Sequence, residues 1–292
     1  MDRAFQSRSI AAAAVFLAMF ASAGAASAKG KKPPPPPPLE GTTIDYAWDG
    51  KDIGHPERAW LGRVFVHDKA KADAAAPRPL LVFVHGLNTE RIKYRWMGGG
   101  NEGDVRRIVS GLIASGKVPP MIVAAPSSIV PEAVNNAVTS WPAFDLDRFI
   151  EHTRSALAGT ATIDPSRVIV AAHSGGGCNA KGGIASAIGA KHPIRAALVI
   201  DTCMLPDMAK QLAAARTDMH VVVSWQTLSW AKRPFTAFRT AFLDGVKQSP
   251  PAPGILRELE HVRPKEPMPH DAMVGITLAH WLPELLPMPS AP

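Results

Sequence analysis

The residues whose types and spacing best suit chemistry lie in the pentapeptide Ala172-His173-Ser174-Gly175-Gly176. The apolar run at 168–171 predicts a short buried strand before it, and an Ala- and Gly-rich run after it can continue as a helix. Small residues must flank a serine where a strand turns sharply into a helix, since larger side chains would collide with the neighbouring strand and helix. N–H groups at the start of such a helix point at an atom bonded to the Ser174 Oγ, as the oxyanion of acyl transfer requires.

The pentapeptide predicts a nucleophilic serine but does not prove one. Ala172 stands where glycine is commonest at such a turn. A glycine-rich connection between a strand and a helix, with no catalytic role, is the alternative interpretation.

The segments around Ser174 alternate between predicted strands and predicted helices. The stretches 68–79 and 163–166 are predicted to be a loop and a turn. Most of the strands are apolar throughout, as strands buried on both faces are, so the predicted fold class is α/β: a mostly parallel central sheet with helices on both faces. Functional residues in such sheets lie at the carboxyl ends of strands, where Ser174, His85-Gly86 and Asp201 fall. Strands are predicted at 43–48, 63–66, 80–84, 120–126, 168–171, 195–200, 220–224 and 255–262, and helices at 105–114, 143–157, 235–246 and 272–286.

The first 40 residues are predicted to be a targeting segment and a linker. An apolar run at 10–20 follows two arginines, and Ala26-Ser27-Ala28 supplies a cleavage site, so 1–28 is predicted to be a secretory signal peptide cleaved after Ala28. The run is too short to span a bilayer as a helix, so no integral membrane segment is expected after cleavage. Residues 29–40 form a basic polyproline linker, and 41–292 are predicted to be one domain. The protein is therefore expected to be secreted or periplasmic.

The charge and cysteine content argue against two kinds of partner. The formal net charge is +7, and about half of it belongs to the signal segment and the linker. The remainder is spread through the domain, so no nucleic-acid partner is predicted. Neither a Cys-x-x-Cys pair nor a Cys/His cluster with zinc spacing occurs, so no structural metal and no cofactor are predicted.

Over residues 43–290 these features together resemble the α/β-hydrolase family. The resemblance rests on the strand followed by His85-Gly86, on the pentapeptide around Ser174, and on the order Ser, Asp, His along the chain. It implies the α/β-hydrolase fold and a secreted, serine esterase-like protein with Ser174 as nucleophile. It also implies that a histidine between the last strand and the last helix activates the serine, and that an aspartate holds that histidine.

His270 is the preferred histidine for this role. It lies in the proline-fixed loop 267–271, immediately before the predicted final helix. His261 lies at the end of the predicted last strand and His280 lies within the final helix, so both are second choices.

Asp201 is the preferred acid, because it ends the predicted strand 195–200. Many members of the family carry the acid one strand later, but here that strand leads into 224–230, which contains no carboxylate. Asp207 and Asp244 are the alternatives. A helix N-cap is the structural interpretation of Asp201.

The resemblance places the oxyanion hole at the backbone N–H groups of Leu87 and Gly175. It implies that His85 supports this loop rather than taking part in the chemistry. Asn88 is a candidate side-chain donor, although a turn-forming role is preferred for it.

Two further pairs of residues follow predicted strand ends. Cys178 and Cys203 lie shortly after Ser174 and Asp201. If the two strands are neighbours, the sulfurs can meet, so a disulfide is predicted, with two buried free thiols as the alternative. Trp225 and Trp230 are the predicted substrate contacts, although such tryptophans often only pack.

The predicted function is that of an exported serine hydrolase that cleaves small-molecule or polymeric carboxylic esters through an acyl-enzyme. An amidase or peptidase with the same triad is the first alternative. A non-catalytic exported binding module on the same fold is the second.

Overall fold

An eight-stranded sheet forms the centre of the chain in the part that the structure describes. The structure is a computed structural model, and it describes residues 37–48, 60–142, 144–228 and 234–288. The sheet order is β1-β2-β4-β3-β5-β6-β7-β8. Strands β3 to β8 run parallel, whereas β2 is antiparallel to β1 and β4, so the mostly parallel sheet is confirmed. The strands are β1 (Gly41–Trp48), β2 (Trp60–His67), β3 (Pro77–Val84), β4 (Ile122–Ser127), β5 (Thr162–His173), β6 (Ala196–Ile200), β7 (His220–Trp225) and β8 (Arg257–His261).

Helices connect the strands and lie on both faces of the sheet. Two 3₁₀ turns, Ala137–Thr139 and Ser174–Gly177, precede α4 and α5. The helices are α1 (Asp68–Lys71), α2 (Val105–Ala114), α3 (Pro131–Val134), α4 (Leu146–Ala156), α5 (Gly183–Ile188), α6 (Pro206–Ala213), α7 (Phe235–Gln248) and α8 (Pro269–Leu285).

The alternation of side chains along β3 divides the apolar core into two layers. Leu80 and Val82 face a layer that also contains apolar residues of α4, α6 and α7. Leu81 and Phe83 face the opposite layer, together with residues of α2 and α8. Because both faces are covered, the strand needs an uninterrupted apolar run, which is what its sequence provides. The helices predicted on both faces are therefore confirmed.

Residues 68–79 do not form the single loop that the sequence predicts. The His67 ring accepts a hydrogen bond from the Lys69 N–H and caps the short helix α1. Strand β3 then begins at Pro77, which pairs with Thr162 of β5. Pairing between strands extends the sheet into a stretch whose composition is that of a loop.

The turn predicted at 163–166 lies inside β5 rather than before it. Ile163 pairs with Arg78 and Val168 pairs with Leu80, so the residues between them bulge out of the sheet. The Asp164 carboxylate accepts from the Ser166 N–H at 2.9 Å and closes this bulge. The turn chemistry is therefore as predicted, but strand pairing resumes on both sides of it.

The chain does not continue as one helix after Ser174. The 3₁₀ turn ends at Gly177, and α5 begins only at Gly183, which has a φ of 49°. A β-carbon on Gly183 would lie 2.1 Å from the Gly176 carbonyl oxygen. Glycines stabilise this tight return of the chain and disfavour a regular helix.

Most of the predicted leader lies outside the described residues. The signal peptide at 1–28 lies wholly outside them, and of the linker at 29–40 only 37–40 is described. Among the described helices, none combines the length and the apolar character needed to cross a bilayer.

Candidate active site

Ser174 lies at a sharp bend between β5 and the 3₁₀ turn Ser174–Gly177. Its φ is 53°, in the left-handed region, which costs a non-glycine residue about 1–3 kcal/mol. The preceding residue, His173, pairs with Ile200 of β6, and Ala172 pairs with Val84 of β3. Ser174 therefore lies at the carboxyl edge of the sheet, between β3 and β6, with the geometry of a nucleophile elbow.

Close packing behind Ser174 explains two of the glycines around it. A β-carbon on Gly86 would lie 2.6 Å from the Ser174 Cβ, and one on Gly176 would lie 2.7 Å from the Val84 carbonyl oxygen. Neither distance is tolerated in a folded protein. The loop after β3 and the turn after β5 approach each other only because both residues lack a side chain.

The N–H groups of Leu87 and Gly175 lie close to each other and to Ser174. A β-carbon on Gly175 would lie 3.1 Å from the Leu87 nitrogen, and one on Gly86 would lie 3.2 Å from the Gly175 nitrogen. In the described part of the chain, no backbone carbonyl outside the regular elements accepts from the Leu87 N–H. The Gly175 N–H is too early in its 3₁₀ turn to have an acceptor within it.

His85 fixes the direction of the Leu87 N–H. The buried ring donates from Nδ1 to the Gly86 carbonyl oxygen at 2.8 Å and accepts the Ser128 N–H at Nε2. Burial lowers the pKa of His85 to about 4, so the ring is neutral and carries its proton on Nδ1. Because the peptide group is planar and trans, holding the Gly86 C=O on one side directs the Leu87 N–H to the other.

Asp201 and His270 form a hydrogen-bonded pair at the same edge of the sheet. Asp201 directly follows β6, has a φ of 48°, and is fully buried. Its Oδ2 accepts from the His270 Nδ1 at 2.6 Å, and His270 is the second residue of α8. This contact leaves the His270 Nε2 as the nitrogen able to accept a proton.

Gln226 is a partner of Asp201 that the sequence interpretation missed. It directly follows β7 and donates to the aspartate twice, from Nε2 to Oδ2 at 2.7 Å and from its backbone N–H to Oδ1 at 3.3 Å. The sequence feature that could have identified Gln226 is its position directly after the next predicted strand. In the structure this position places its amide beside the end of β6. A buried carboxylate needs such donors, because burial without them is costly.

His173 is a second partner that the sequence interpretation missed. Its Nε2–H donates to the His270 carbonyl oxygen at 3.1 Å, and the two rings lie 4.4 Å apart. Trp96 packs edge-on against His173 at 5.4 Å. Burial, with the nearby His270 as a smaller cause, lowers the pKa of His173 to about 3, so the ring acts as a neutral donor.

A cluster of charged groups lies beside the Leu87 loop and α8. Arg95 donates to the Leu87 carbonyl oxygen at 2.7 Å and also pairs with Glu102. Burial raises the pKa of the neighbouring Asp271, and the nearby Glu102 raises it further, whereas His270 and Arg95 lower it. Arg95 therefore balances acidic groups near the site and holds the loop that carries the Leu87 N–H.

The alternative histidines are placed elsewhere. His261, at the end of β8, stacks on Trp225 with the ring centroids 4.1 Å apart. His280 donates from α8 to Glu260 at 2.8 Å, and this contact raises its pKa. Neither ring contacts Asp201, so the structure brings His270 alone of the three to that acid.

The alternative acids also lie apart from His270. Asp207 lies in the first turn of α6, exposed, with the Lys210 ammonium at 3.7 Å. Asp244 lies in α7 beside Lys247 at 3.3 Å. Both carboxylates belong to surface pairs within their own helices.

Asn88 and the two tryptophans differ in how the structure places them. Asn88 is buried, and its amide bonds both backbone groups of Ile92, as the turn-forming interpretation predicts, and also donates to the Ser128 carbonyl, which that interpretation does not predict. Trp225 is 8% exposed and lies between Phe235 and His261, so its ring faces are already covered. Trp230 lies outside the described residues.

A disulfide joins Cys178 to Cys203, as predicted. Their Cα atoms lie 5.1 Å apart, and the bond closes a sequence separation of 25 residues. Cys178 ends the turn that begins at Ser174, and Cys203 lies two residues after Asp201. The disulfide therefore ties the loop that carries the serine to the loop that carries the acid.

Among the described residues, no group of three or more His, Cys, Asp or Glu side chains is arranged to hold a metal ion.

Solved structures with the same arrangement of strands and helices are similar to this chain. A ferulic acid esterase aligns at a TM-score of 0.59 and 14% identity, over 85% of this chain and 99% of that one. A serine-to-alanine variant of the feruloyl esterase module from Clostridium thermocellum, complexed with sinapinate, aligns at 0.56 and 14%, over 90% and 95%. The fluorophosphonate-binding serine hydrolase F from Staphylococcus aureus aligns at 0.52 and 12%, over 83% and 98%. No protein-family model and no curated protein sequence matches the chain. At these identities the comparisons establish the fold, which is the α/β-hydrolase fold.

Proposed function

We propose that the protein, which has the α/β-hydrolase fold, is a serine hydrolase that cleaves carboxylic esters. The observation that carries the proposal is the hydrogen bond between the buried Asp201 and the partly exposed His270, at the same end of the sheet as Ser174, whose backbone is in the left-handed region at the end of β5. His173 connects the two parts, because it precedes Ser174 and donates to the His270 carbonyl. Acyl transfer needs a nucleophile, a base and a group that orients the base, and Ser174, His270 and Asp201 supply them.

The proposed reaction proceeds through an acyl-enzyme. The Ser174 Oγ attacks the ester carbonyl carbon while the His270 Nε2 takes the serine proton. The negative charge that develops on the carbonyl oxygen is stabilised by the Leu87 and Gly175 N–H groups. His270 then gives its proton to the leaving alkoxide. Water, activated by the same imidazole, attacks the acyl-enzyme and releases the carboxylic acid and Ser174.

An ester is favoured over an amide as the substrate. An alkoxide leaves more readily than an amine, and two of the similar structures carry names that refer to ferulic acid or feruloyl esters. An amidase or peptidase with the same residues is the alternative, and matched ester and amide substrates distinguish the two. A non-catalytic binding module is the other alternative, and failure of a serine-directed probe to label the protein would favour it.

We also propose that the protein acts outside the cytoplasm, on small-molecule or polymeric esters. The Cys178–Cys203 bond supports an oxidising compartment, where disulfides persist. The sequence at 1–28 supports export to the periplasm or the medium.

The test is labelling by a fluorophosphonate probe followed by hydrolysis of p-nitrophenyl acetate. Wild-type protein should be labelled at Ser174 and should turn the ester over, whereas Ser174→Ala should do neither and should keep its circular dichroism spectrum and its unfolding temperature. Ser155→Ala is the matched control, since this serine of α4 is exposed and its hydroxyl donates to the Glu151 carbonyl of its own helix. Equal turnover by the wild type and Ser174→Ala would refute the assignment.

A further inference from the structure

Four of the five large apolar side chains that are exposed in the described ranges lie in connections that follow the carboxyl ends of the strands. They are 42–64% exposed. Ile129 and Val138 follow β4, Leu228 follows β7, and Met268 follows β8. We call these four residues the apolar rim. The fifth, Met288, follows α8 and lies near the opposite end of the strands. The Leu285 carbonyl, in the last turn of α8, accepts a hydrogen bond from Arg195, which directly precedes β6.

Two members of the rim are connected to the loop that carries the Leu87 N–H and to the 3₁₀ turn that begins at Ser174. Ile129 directly follows Ser128, whose N–H donates to His85. Val138 lies two residues before Ser140, whose hydroxyl donates to the Gly175 carbonyl oxygen. Both side chains are therefore carried by short segments that are fixed to proposed site residues.

The other two members flank the acid and the base. The Leu228 N–H donates at 2.6 Å to the Gln226 side chain, which in turn donates to Asp201. Met268 is the N-cap residue of α8, two residues before His270. The rim thus has members on each side of the proposed catalytic residues.

An open cavity extends from one side of the rim. Val138 lines it together with Cys178, Leu205 and Pro206, its volume is about 410 Å³, and its remaining lining includes the polar Asn179, Lys181 and Asp207. That volume falls within the range of pockets that take small organic ligands. The cavity lies along the disulfide that ties the Ser174 turn to the Asp201 loop.

Single exposed apolar side chains are ordinary on protein surfaces, but a group of them around one site marks a binding surface. Resting on the proposed ester hydrolysis, we propose that the rim binds the acyl part of the substrate, which is an extended apolar group, aliphatic or aromatic. Because the rim side chains are exposed on the segments around the site, an acetyl group bonded to Ser174 should cover less of their surface than a longer acyl group does. A longer acyl group leaves the site across the rim and covers apolar surface that water otherwise contacts.

The test compares kcat/KM for p-nitrophenyl octanoate and p-nitrophenyl acetate, both kept below the concentration at which the longer ester aggregates. Wild-type protein should prefer the octanoate. In Leu228→Ser and Ile129→Ser, the ratio of the octanoate value to the acetate value should fall about threefold to tenfold, which is at or below the low end of what one methylene contributes in a closed pocket, because the rim is open to water. Met288→Ser is the matched control, an exposed apolar residue at the opposite edge, and should leave the ratio unchanged.

Three results would overturn the rim proposal, and they differ in what they leave standing. An unchanged ratio in both rim variants, with Ser174 still labelled by a fluorophosphonate, would refute the rim and keep the hydrolase. An unchanged ratio together with weaker binding of the variants to phosphatidylcholine vesicles would make the rim a lipid-binding surface instead. Absence of labelling and of turnover on both esters in the wild type would refute both proposals.

Discussion

The hydrogen bond between His173 and the His270 carbonyl provides a direct test of how His270, the proposed base, is positioned. Its Nε2–H···O distance is 3.1 Å, and the neutral ring also packs between His270 and Trp96. His173→Phe keeps an aromatic ring for this packing and removes the donor. His173→Gln removes the ring, but its amide nitrogen can take the place of Nε2.

The expected loss follows from the strength of one neutral hydrogen bond. Such a bond contributes about 0.5–1.5 kcal/mol, which converts to about twofold to thirteenfold in a rate. A small displacement of the His270 ring adds to this, because catalytic geometry is sensitive to shifts of about 1 Å. We therefore expect kcat/KM of His173→Phe on p-nitrophenyl acetate to fall about tenfold, with most of the loss in kcat and little change in KM.

Comparing His173→Gln with His173→Phe shows whether His173 acts by positioning His270 through a hydrogen bond or only by packing its ring. His173→Gln should recover most of the activity that His173→Phe loses, and both should unfold cooperatively near the wild-type temperature. The pH profile above pH 5 should keep its shape in both variants, because His173, with a pKa of about 3, does not titrate there. Equal losses in the two variants, or full activity in His173→Phe, would refute the role of the hydrogen bond.

Three further predictions concern the backbone, the disulfide and acid. Gly86→Ala should lower kcat/KM at least about 100-fold, because its β-carbon would lie 2.6 Å from the Ser174 Cβ, whereas Gly111→Ala on the exposed face of α2, with no atom within 4 Å, should retain full activity. Replacing Cys178 and Cys203 together by alanine should lower the free energy of unfolding in urea by about 3.5 kcal/mol, given the separation of 25 residues. Dithiothreitol should lower the free energy of unfolding of the wild type but not that of the variant, and an unchanged free energy in the variant would contradict this. Acid should destabilise the fold, because His85 and His173 have folded-state pKa values of about 4 and 3, below the ordinary 6.5, so the unfolded state binds more protons as the pH falls below 6.5. By pH 4.5 each histidine should lower the free energy of unfolding by about 2–3 kcal/mol. A calorimetric unfolding temperature that stays constant from pH 7 to pH 4.5 would disprove this acid destabilisation.

The sequence was sufficient for the α/β class and for the position of Ser174 at a strand end. Both follow from neighbouring residues: the apolar run of β3 is long because both of its faces are buried, and small residues flank the serine because the bend is crowded. The order of Asp201 and His270 along the chain, together with the family resemblance, singled out these two residues, and the structure pairs them.

Sequence reasoning failed where contacts join distant parts of the chain. Gln226 directly follows its strand, as Asp201 does, but only the parallel pairing of β6 with β7 shows that its amide reaches the carboxylate. His173 is part of the pentapeptide, and nothing in its sequence position shows that its ring contacts a residue 97 positions later. The composition of 163–166 predicts a turn, but it does not show that pairing with β3 resumes beyond these residues.

The sequence by itself determined where the strands end and which side chains follow them. Backbone propensity, steric crowding and burial on two faces act over a few neighbouring positions, so local sequence is sufficient for this. The tertiary structure decided which of these ends meet: it brings His270 to Asp201, gives His261 and His280 other partners, and bonds the two cysteines. The physical reason is that such contacts depend on sheet order and on the paths of the connecting loops, and residues that meet there are separated by tens of positions along the chain.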